Sequence, residues 1–185
     1  MPILEGMLSL EEMLLRLGAA ILLGAVIGLE REFAGKEAGI RTDIMVAAGS
    51  AIFSIVGVTL PYLIALSTEN LAEVIARNSG FLGVVANIVV GVGFLGAGII
   101  VKQGIHVRGL TTAATVWFAA AVGVLCGIGL WEFAGVTAIG LTLLLVILKK
   151  INLYKLIGKR PQYREDDDGD DDVEVHLDEN SSVGK

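Results

Sequence analysis

The residues best suited to chemistry lie in two short polar segments that separate long apolar stretches. These candidates are Glu30, Arg31, Glu32, Arg41, Asp43, Arg108 and Thr111. Three interpretations are open. In the first, balanced charges form an interfacial salt-bridge network that fixes the loops. In the second, Glu30, Glu32 and Asp43 coordinate a hard divalent cation such as Mg²⁺ through oxygen ligands. In the third, Arg41, Arg108 and helix N-termini hold a phosphate or a lipid headgroup.

The elements that must position these residues are membrane-spanning helices. The 185 residues are 54% hydrophobic and 18% charged, with 24 glycines and a mean hydropathy of +0.73, whereas soluble domains carry about 25% charged residues. A helix needs about 20 apolar residues to cross the bilayer core. The pattern predicts an all-α integral membrane protein with five transmembrane helices, at about 10–29, 44–66, 80–101, 110–128 and 132–148. Arg16 is expected to snorkel at one end of the first span.

The distribution of basic residues predicts the orientation. Cytoplasmic loops collect Lys and Arg, and the segments before helices two and four and after helix five are the basic ones. This places the N-terminus outside and the C-terminus in the cytoplasm. We therefore divide the chain into an N-terminal extension (1–9), a transmembrane domain (10–150) and a basic-then-acidic cytoplasmic tail (151–185), whose run of acidic residues predicts disorder.

At the cytoplasmic face, helices two and four are expected to begin with Thr42 or Asp43 and with Thr111 or Thr112 as N-caps, so that two positive helix ends meet there. Small residues let membrane helices approach closely. The glycines expected to pack helices are Gly24, Gly28, Gly93, Gly96, Gly98, Gly123 and Gly127. Glycine density in helix three also allows a second interpretation, a bend or an exposed backbone beside a pathway.

A possible internal repeat relates the first two helices to the next two. The segment at 23–27 resembles that at 95–99, and the segment at 39–42 resembles that at 109–112, with offsets of 72 and 70 residues. We hypothesise a parallel repeat about an axis along the membrane normal. Chance similarity in Gly/Ala-rich sequence is the alternative.

Polar residues inside the spans are few. Asn87 is the costliest of them, and a hydrogen bond across a helix interface is favoured over lining an ion path. No acidic residue falls in the middle of a predicted helix, which disfavours a proton- or cation-coupled transporter. With His106 and His176 as the only histidines and Cys126 as the only cysteine, no catalytic or metal motif is recognisable. We expect no enzyme activity, no cofactor beyond weak Mg²⁺ binding, and no nucleic-acid partner.

Four blocks of sequence resemble the transmembrane domain of the MgtC/SapB family over residues 10–150. They read LGAVIGLERE (23–32), AGIRT (38–42), GVGFLGAG (91–98) and VRGLTTAA (107–114). The resemblance implies a multi-pass protein of the inner membrane of a bacterium or archaeon, linked to growth under magnesium limitation. It directs attention to Glu30, Arg31, Arg41, Arg108 and Thr111, the last standing where many members have Asn.

The same resemblance implies a non-enzymatic regulator rather than a transporter. Partners expected from it are other membrane proteins, such as the ATP synthase or a magnesium transporter, and the small-residue faces are compatible with a homodimer. The alternative is a channel or carrier for Mg²⁺ or another small ion. Larger members carry a folded cytoplasmic domain after helix five, where this sequence has its acidic tail, so regulation residing in that domain is expected to be missing.

Overall fold

The computed structural model describes residues 8–64, 72–73, 76, 80–103 and 106–151. Its elements are α1 (Leu10–Phe33), α2 (Ile40–Ile64), α3 (Gly80–Ile99), β1 (Val101–Gln103), β2 (His106–Arg108), α4 (Leu110–Gly127) and α5 (Trp131–Ile151). All five helices are long and apolar enough to cross a membrane, which confirms the predicted fold class. Nearly all of the extension at 1–9 and of the tail at 151–185 lies outside the described residues.

The helices that meet at the charged segments are longer than predicted. Helix α1 continues to Phe33 rather than to residue 29, and α2 begins at Ile40 rather than at residue 44. The prediction counted apolar residues only, but a charged side chain that complements the helix dipole is favourable in a terminal turn. Arg31 occupies the last turn of α1 and Asp43 the first turn of α2.

The predicted N-caps of α2 and α4 are wrong because both helices begin before those residues in the sequence. Asp43 lies inside α2, and its N–H already donates to the Gly39 carbonyl at 3.1 Å, so neither it nor its neighbour precedes the helix. The N-cap of α4 is Gly109 rather than Thr111 or Thr112. Gly109 has a φ of 84°, a left-handed conformation that L-residues avoid.

The turn between α1 and α2 is set by local hydrogen bonds. Gly35, at φ 63°, lets the Lys36 N–H reach the Arg31 carbonyl at 3.1 Å, while the Gly35 N–H donates to the Glu32 carbonyl at 3.0 Å. This is the Schellman pattern that ends many helices. The chain then reverses, and α2 begins with the Ile40 N–H donating to the Glu32 carboxylate at 3.2 Å. A side chain of α1 thereby caps α2.

Arg16 joins α1 to the far end of α4. Its guanidinium donates to the Gly127 carbonyl at 2.9 Å and to the Glu12 carboxylate at 2.5 Å. Carbonyls of the last helical turn lack intrahelical partners, so the bond satisfies one of them. The prediction that Arg16 snorkels missed this role, because the partner is 111 residues away in the sequence.

Helix α2 lies between α1 and α4, and glycines set both contacts. A Cβ added at Gly28 would lie 2.4 Å from the Ile40 Cα, and one added at Gly123 would lie 2.2 Å from the Ala47 carbonyl oxygen. The backbones therefore approach too closely for any side chain. The buried hydrophobic cluster beside these contacts draws on four helices and comprises Ala20, Ile27, Ala51, Ala119, Val122, Cys126, Ala134 and Ala138.

Helix α3 is the least embedded of the five. Apart from Gly96, its described side chains are half-buried or exposed. The segment that follows forms an antiparallel ribbon in which Val101 pairs with Arg108 and Lys102 with Val107. The sequence predicts only a loop there, and a helix that continues to residue 101. The ribbon returns the chain to Gly109, where α4 begins.

The two helical hairpins make one similar contact. A Cβ added at Gly24 would face the Asp43 backbone carbonyl at 2.8 Å, and one added at Gly96 would face Ala113 at 3.6 Å. The glycines are 72 positions apart and their partners 70 apart, the offsets of the hypothesised repeat. The observation supports that hypothesis, which otherwise stays a prediction.

Candidate functional site

The charged end of the bundle, which we define as residues 30–43 and 106–112, contains an ion pair, Glu30 and Arg31, and a buried acidic residue, Asp43, on which Arg31 acts; we call these three residues the trio. Arg31 is 5% exposed, and its guanidinium pairs with the Glu30 carboxylate through both Nε and a terminal nitrogen. Asp43 is fully buried, and it lies close enough for Arg31 to act on it electrostatically. Neither carboxylate oxygen of Asp43 has a hydrogen-bond partner among the described residues. Arg31 thus pairs with Glu30, while Asp43 is left with no bonding partner among the described residues.

A second contact ties the turn before α2 to the start of α4. The Thr112 hydroxyl donates to the Glu37 carboxylate at 3.1 Å. The hydrogen bond from its own backbone N–H, and next the one from Thr112, lower the pKa of Glu37 below its ordinary value of 4.5. This favourable interaction of the ionised carboxylate is fully present above the ordinary pKa, and it is lost as the pH falls through the folded-state pKa.

Replacing Thr112 by valine is expected to raise the pKa of Glu37 toward 4.5, because the second-largest cause of its shift is removed. The variant should also lose less stability than the parent when the pH falls below about 4.5. Both effects are measurable by NMR titration of ¹³C-labelled glutamate and by unfolding at acid pH. The matched control is Thr111→Val, since Thr111 is exposed. An unchanged Glu37 titration in Thr112→Val would contradict the role assigned to the hydroxyl.

The other candidate residues do not join the trio. Arg41, Arg108 and Thr111 are exposed. Glu32 is exposed as well, and its carboxylate accepts the Ile40 N–H. Among the described residues no group of three or more His, Cys, Asp or Glu side chains is placed to hold a metal ion. The interpretation in which Glu30, Glu32 and Asp43 coordinate a divalent cation is therefore not supported by the geometry.

A cleft of about 370 Å³ lies beside Glu30, between the end of α1 and α5. Phe33, Ala34 and Val146 form its apolar wall, and Lys149 lines it together with Glu30. Lys149 belongs to the last turn of α5, where a cation is favoured by the helix dipole. The cleft therefore places an ammonium on the side of Glu30 that faces α5.

A second cleft, of about 480 Å³, opens between α2 and α3 inside the apolar part of the bundle. Its walls are mostly apolar, but Ser50 and Asn87 line it. Asn87, Gly91 and Gly98 fall on one face of α3 because their spacings of four and seven residues keep side chains in register. We call this set the open face of α3. A Cβ added at Gly91 or Gly98 would have no neighbour within 4 Å.

The glycines expected to pack helices thus fall into two groups. Gly24, Gly28, Gly123 and Gly127 press against α2, and Gly96 faces Ala113. Gly93 and Gly98 have open space instead. Sequence spacing alone does not distinguish the groups, because all of them sit in apolar helices.

Three residues at or beside the charged end were not among the candidates from the sequence. Glu37 and Lys149 looked like ordinary loop and terminal charges, and Thr112 was treated only as a capping residue. Their importance comes from contacts between segments remote in the chain, as in the Glu37–Thr112 pair separated by 75 residues. The sequence shows two adjacent threonines at 111–112, but it does not show that Thr112 is the one whose hydroxyl is buried and bonded to Glu37.

The five described helices that are long and apolar enough to cross a membrane define a multi-pass membrane protein. A sequence model of the MgtC family matches residues 17–154. Because that match covers most of the chain, the chain belongs to the MgtC family.

Individual relatives agree with this assignment. The chain is 46% identical over 123 residues to "Protein MgtC" of Brucella abortus (strain 2308), covering 66% of this chain and 45% of that protein. It is 43% identical over 121 residues to "Protein MgtC" of Salmonella typhimurium (strain LT2), covering 65% of this chain and 46% of that protein. The chain therefore matches less than half the length of these relatives. No solved structure gives a significant match.

Proposed function

We propose that this protein is a non-enzymatic regulator that acts in magnesium homeostasis by binding another membrane protein in the inner membrane. The family link to magnesium supplies the physiological setting. The observation that carries the binding role is the open face of α3. Gly24, Gly28, Gly123 and Gly127 are covered by α2, whereas Gly91 and Gly98 have no neighbour within 4 Å. Other helices also carry uncrowded glycines, such as Gly140 of α5, but on α3 the open glycines share a face with an exposed amide, Asn87.

The physics of helix association in lipid supports a partner at this face. Apolar helices gain nothing by leaving lipid for one another, so association depends on close packing and on interhelical hydrogen bonds. The open face supplies small residues for packing and one amide, Asn87, for hydrogen bonding. Asn87 is exposed on the helix surface, and a polar group facing lipid without a partner is costly. A transmembrane helix of another protein would satisfy both requirements.

The test is site-specific photo-crosslinking in native membranes of cells grown at limiting magnesium. A benzophenone amino acid replaces Phe94, which is 84% exposed on α3, or Phe133, which is 58% exposed on α5 and serves as the matched control. We expect a discrete protein adduct from position 94, which mass spectrometry can identify, and lipid adducts from position 133. Lipid adducts alone from position 94 would contradict a partner at this face.

A growth assay then links the contact to function. Gly91→Leu fills the open face, and Gly140→Leu makes the same change at an equally uncrowded glycine of α5. We expect Gly91→Leu to abolish the position-94 adduct and to impair growth at limiting magnesium, with Gly140→Leu close to the parent. Loss of the adduct without any growth defect would separate the contact from magnesium adaptation.

The cleft between α2 and α3 favours one second candidate, a channel or carrier for a small ion, since Ser50 and Asn87 line it. Flux measured in proteoliposomes distinguishes the two functions. Mg²⁺ flux that disappears in Asn87→Leu would support transport. Absence of flux from protein that is well reconstituted, together with an intact crosslink, would support the regulator.

A further inference from the structure

Asp43 is the buried ionisable group that neither proposed function uses. It lies in the first turn of α2 and is 0% exposed, and both of its carboxylate oxygens lack hydrogen-bond partners among the described residues. Its backbone is close-packed against α1, since a Cβ added at Gly24 would lie 2.8 Å from the Asp43 carbonyl oxygen. Buried polar groups are nearly always paired, so an orphaned carboxyl needs an explanation.

The charged groups around Asp43 are few, and they can be named element by element. From α1, Arg31 acts on it directly, and Glu30 reaches it only through Arg31. Glu32, also of α1, caps α2, and in the turn before α2 Glu37 bonds to Thr112. Lys36 of that turn and Arg41 of α2 are exposed. Helices α3 and α4 contain no charged residue. On α5, Lys149 lies across the small cleft from Glu30.

Arg31 is therefore the guanidinium for which the carboxyl groups of Glu30 and Asp43 compete. In the structure Arg31 pairs with Glu30 and leaves Asp43 without a bond. A buried carboxylate that is neither paired nor hydrogen-bonded is costly, and such groups neutralise by taking up a proton. The observed pairing is therefore that of a neutral Asp43, whose carboxylic acid carries no charge to compensate.

We propose that Asp43 is a proton-binding site and that Arg31 exchanges between Glu30 and Asp43 as the proton enters and leaves. When Asp43 releases its proton to water, its carboxylate draws the Arg31 guanidinium away from Glu30. Arg31 stays protonated throughout, so one proton is released and no other bond is made or broken. Glu30, left without its partner, is compensated by Lys149 across the cleft at α5.

The exchange couples a proton to the geometry of three helices. Arg31 lies in the last turn of α1 and its carbonyl holds the turn that leads into α2. Movement of its side chain from Glu30 toward Asp43 exchanges an ion pair within α1 for one between α1 and α2. The same movement turns Glu30 toward α5. The charged end of the bundle thus has two arrangements, selected by one proton.

The test follows the Nε–H signal of Arg31 by NMR, in the full-length protein labelled with ¹⁵N-arginine and held in lipid nanodiscs. This N–H is the group that donates to Glu30, and Arg31→Lys identifies its signal by loss. Between about pH 5 and 8, a range in which buried carboxyl groups can titrate, we expect the parent signal to move in one transition. In Asp43→Asn, which keeps the shape but cannot ionise, the signal should stay at its Glu30-paired position throughout. Glu132→Gln removes an exposed first-turn carboxylate of α5 and should leave the transition as in the parent.

A second variant keeps the proposal falsifiable if Asp43→Asn fails to fold. Lys149→Ala removes the compensating charge, so Glu30 should hold Arg31 more firmly and the transition should move to higher pH. No transition in the parent would overturn the proposal, as would the same transition in Asp43→Asn. A transition unmoved in Lys149→Ala would also overturn it, because the exchange needs a second partner for Glu30. The crosslinking and flux results have no bearing on these outcomes.

Discussion

Replacing Gly123 by alanine is expected to destabilise the bundle by about 3 kcal/mol, at the upper end of the cost of overpacking. The new Cβ would lie 2.2 Å from the Ala47 carbonyl oxygen and 2.9 Å from the Ala47 Cα. Both atoms belong to the backbone of α2, so relief requires a shift of the central helix against α1 as well. Unfolding in mixed micelles, followed by tryptophan fluorescence, measures the change.

Gly91→Ala is the matched control, because a Cβ at Gly91 meets nothing within 4 Å. Its effect should stay within about 0.5 kcal/mol, as for an uncrowded surface substitution. Equal effects of the two substitutions would show that α2 and α4 do not approach as closely as the structure has them.

Gly109→Ala should produce the second large loss of stability, again about 3 kcal/mol, from two added costs. Gly109 has a φ of 84°, which disfavours any L-residue, and a Cβ there would lie 2.4 Å from the Ile99 carbonyl oxygen. The ends of α3 and α4 would have to separate, and hydrogen exchange of the first amides of α4 should report this directly. The same micelle unfolding assay gives the magnitude.

The comparison for this substitution is Gly35→Ala. Gly35 also has a positive φ, 63°, but no atom lies within 4 Å of its added Cβ. It should cost roughly 1 to 2 kcal/mol, the backbone penalty alone. If Gly35→Ala proved as damaging as Gly109→Ala, the contact with Ile99 would not contribute.

Together these substitutions distinguish glycines that allow two helix backbones to approach closely from glycines with no close neighbour. The crowded ones hold α2 between α1 and α4, while a Cβ added at Gly91 or Gly98 on the open face of α3 would meet no atom within 4 Å. That contrast, together with the exposed Asn87 on the same face, is the basis of the proposed partner contact. Helix α3 packs against α2 and α4, but the contacts of α2 with α1 and α4 are more extensive.

The regulator and the ion pathway make different demands on the same region. A partner helix needs the open face of α3 to be free for packing, whereas a pathway needs the cleft between α2 and α3 to stay hydrated. Apart from Ser50 and Asn87, the residues that line this cleft are apolar or glycine. An apolar lining favours packing by a partner's transmembrane helix over passage of a hydrated ion. For this reason we prefer the regulator to the ion pathway.

The sequence by itself determined the number of helices, the membrane class and the family. A run of about 20 apolar residues is typical of a helix that crosses a bilayer. The blocks at 23–32 and 107–114 are specific enough to identify MgtC relatives. It also indicated that charge gathers near residues 30–43. These features are local, since each depends on residues adjacent in the chain, and local patterns can be read without a fold.

Only the tertiary structure decided which charges and glycines matter. The sequence does not distinguish Arg31 and Asp43 from Arg41. In the fold, the packing of α1 against α2 buries Arg31 and Asp43 and leaves Arg41 exposed. Gly123 and Gly91 both sit in apolar helices, but only the first meets a neighbouring backbone. Burial and close approach depend on how helices are rotated about their own axes and where they cross. A pattern of apolar residues on every face leaves that rotation undetermined, because lipid and protein are equally apolar surroundings.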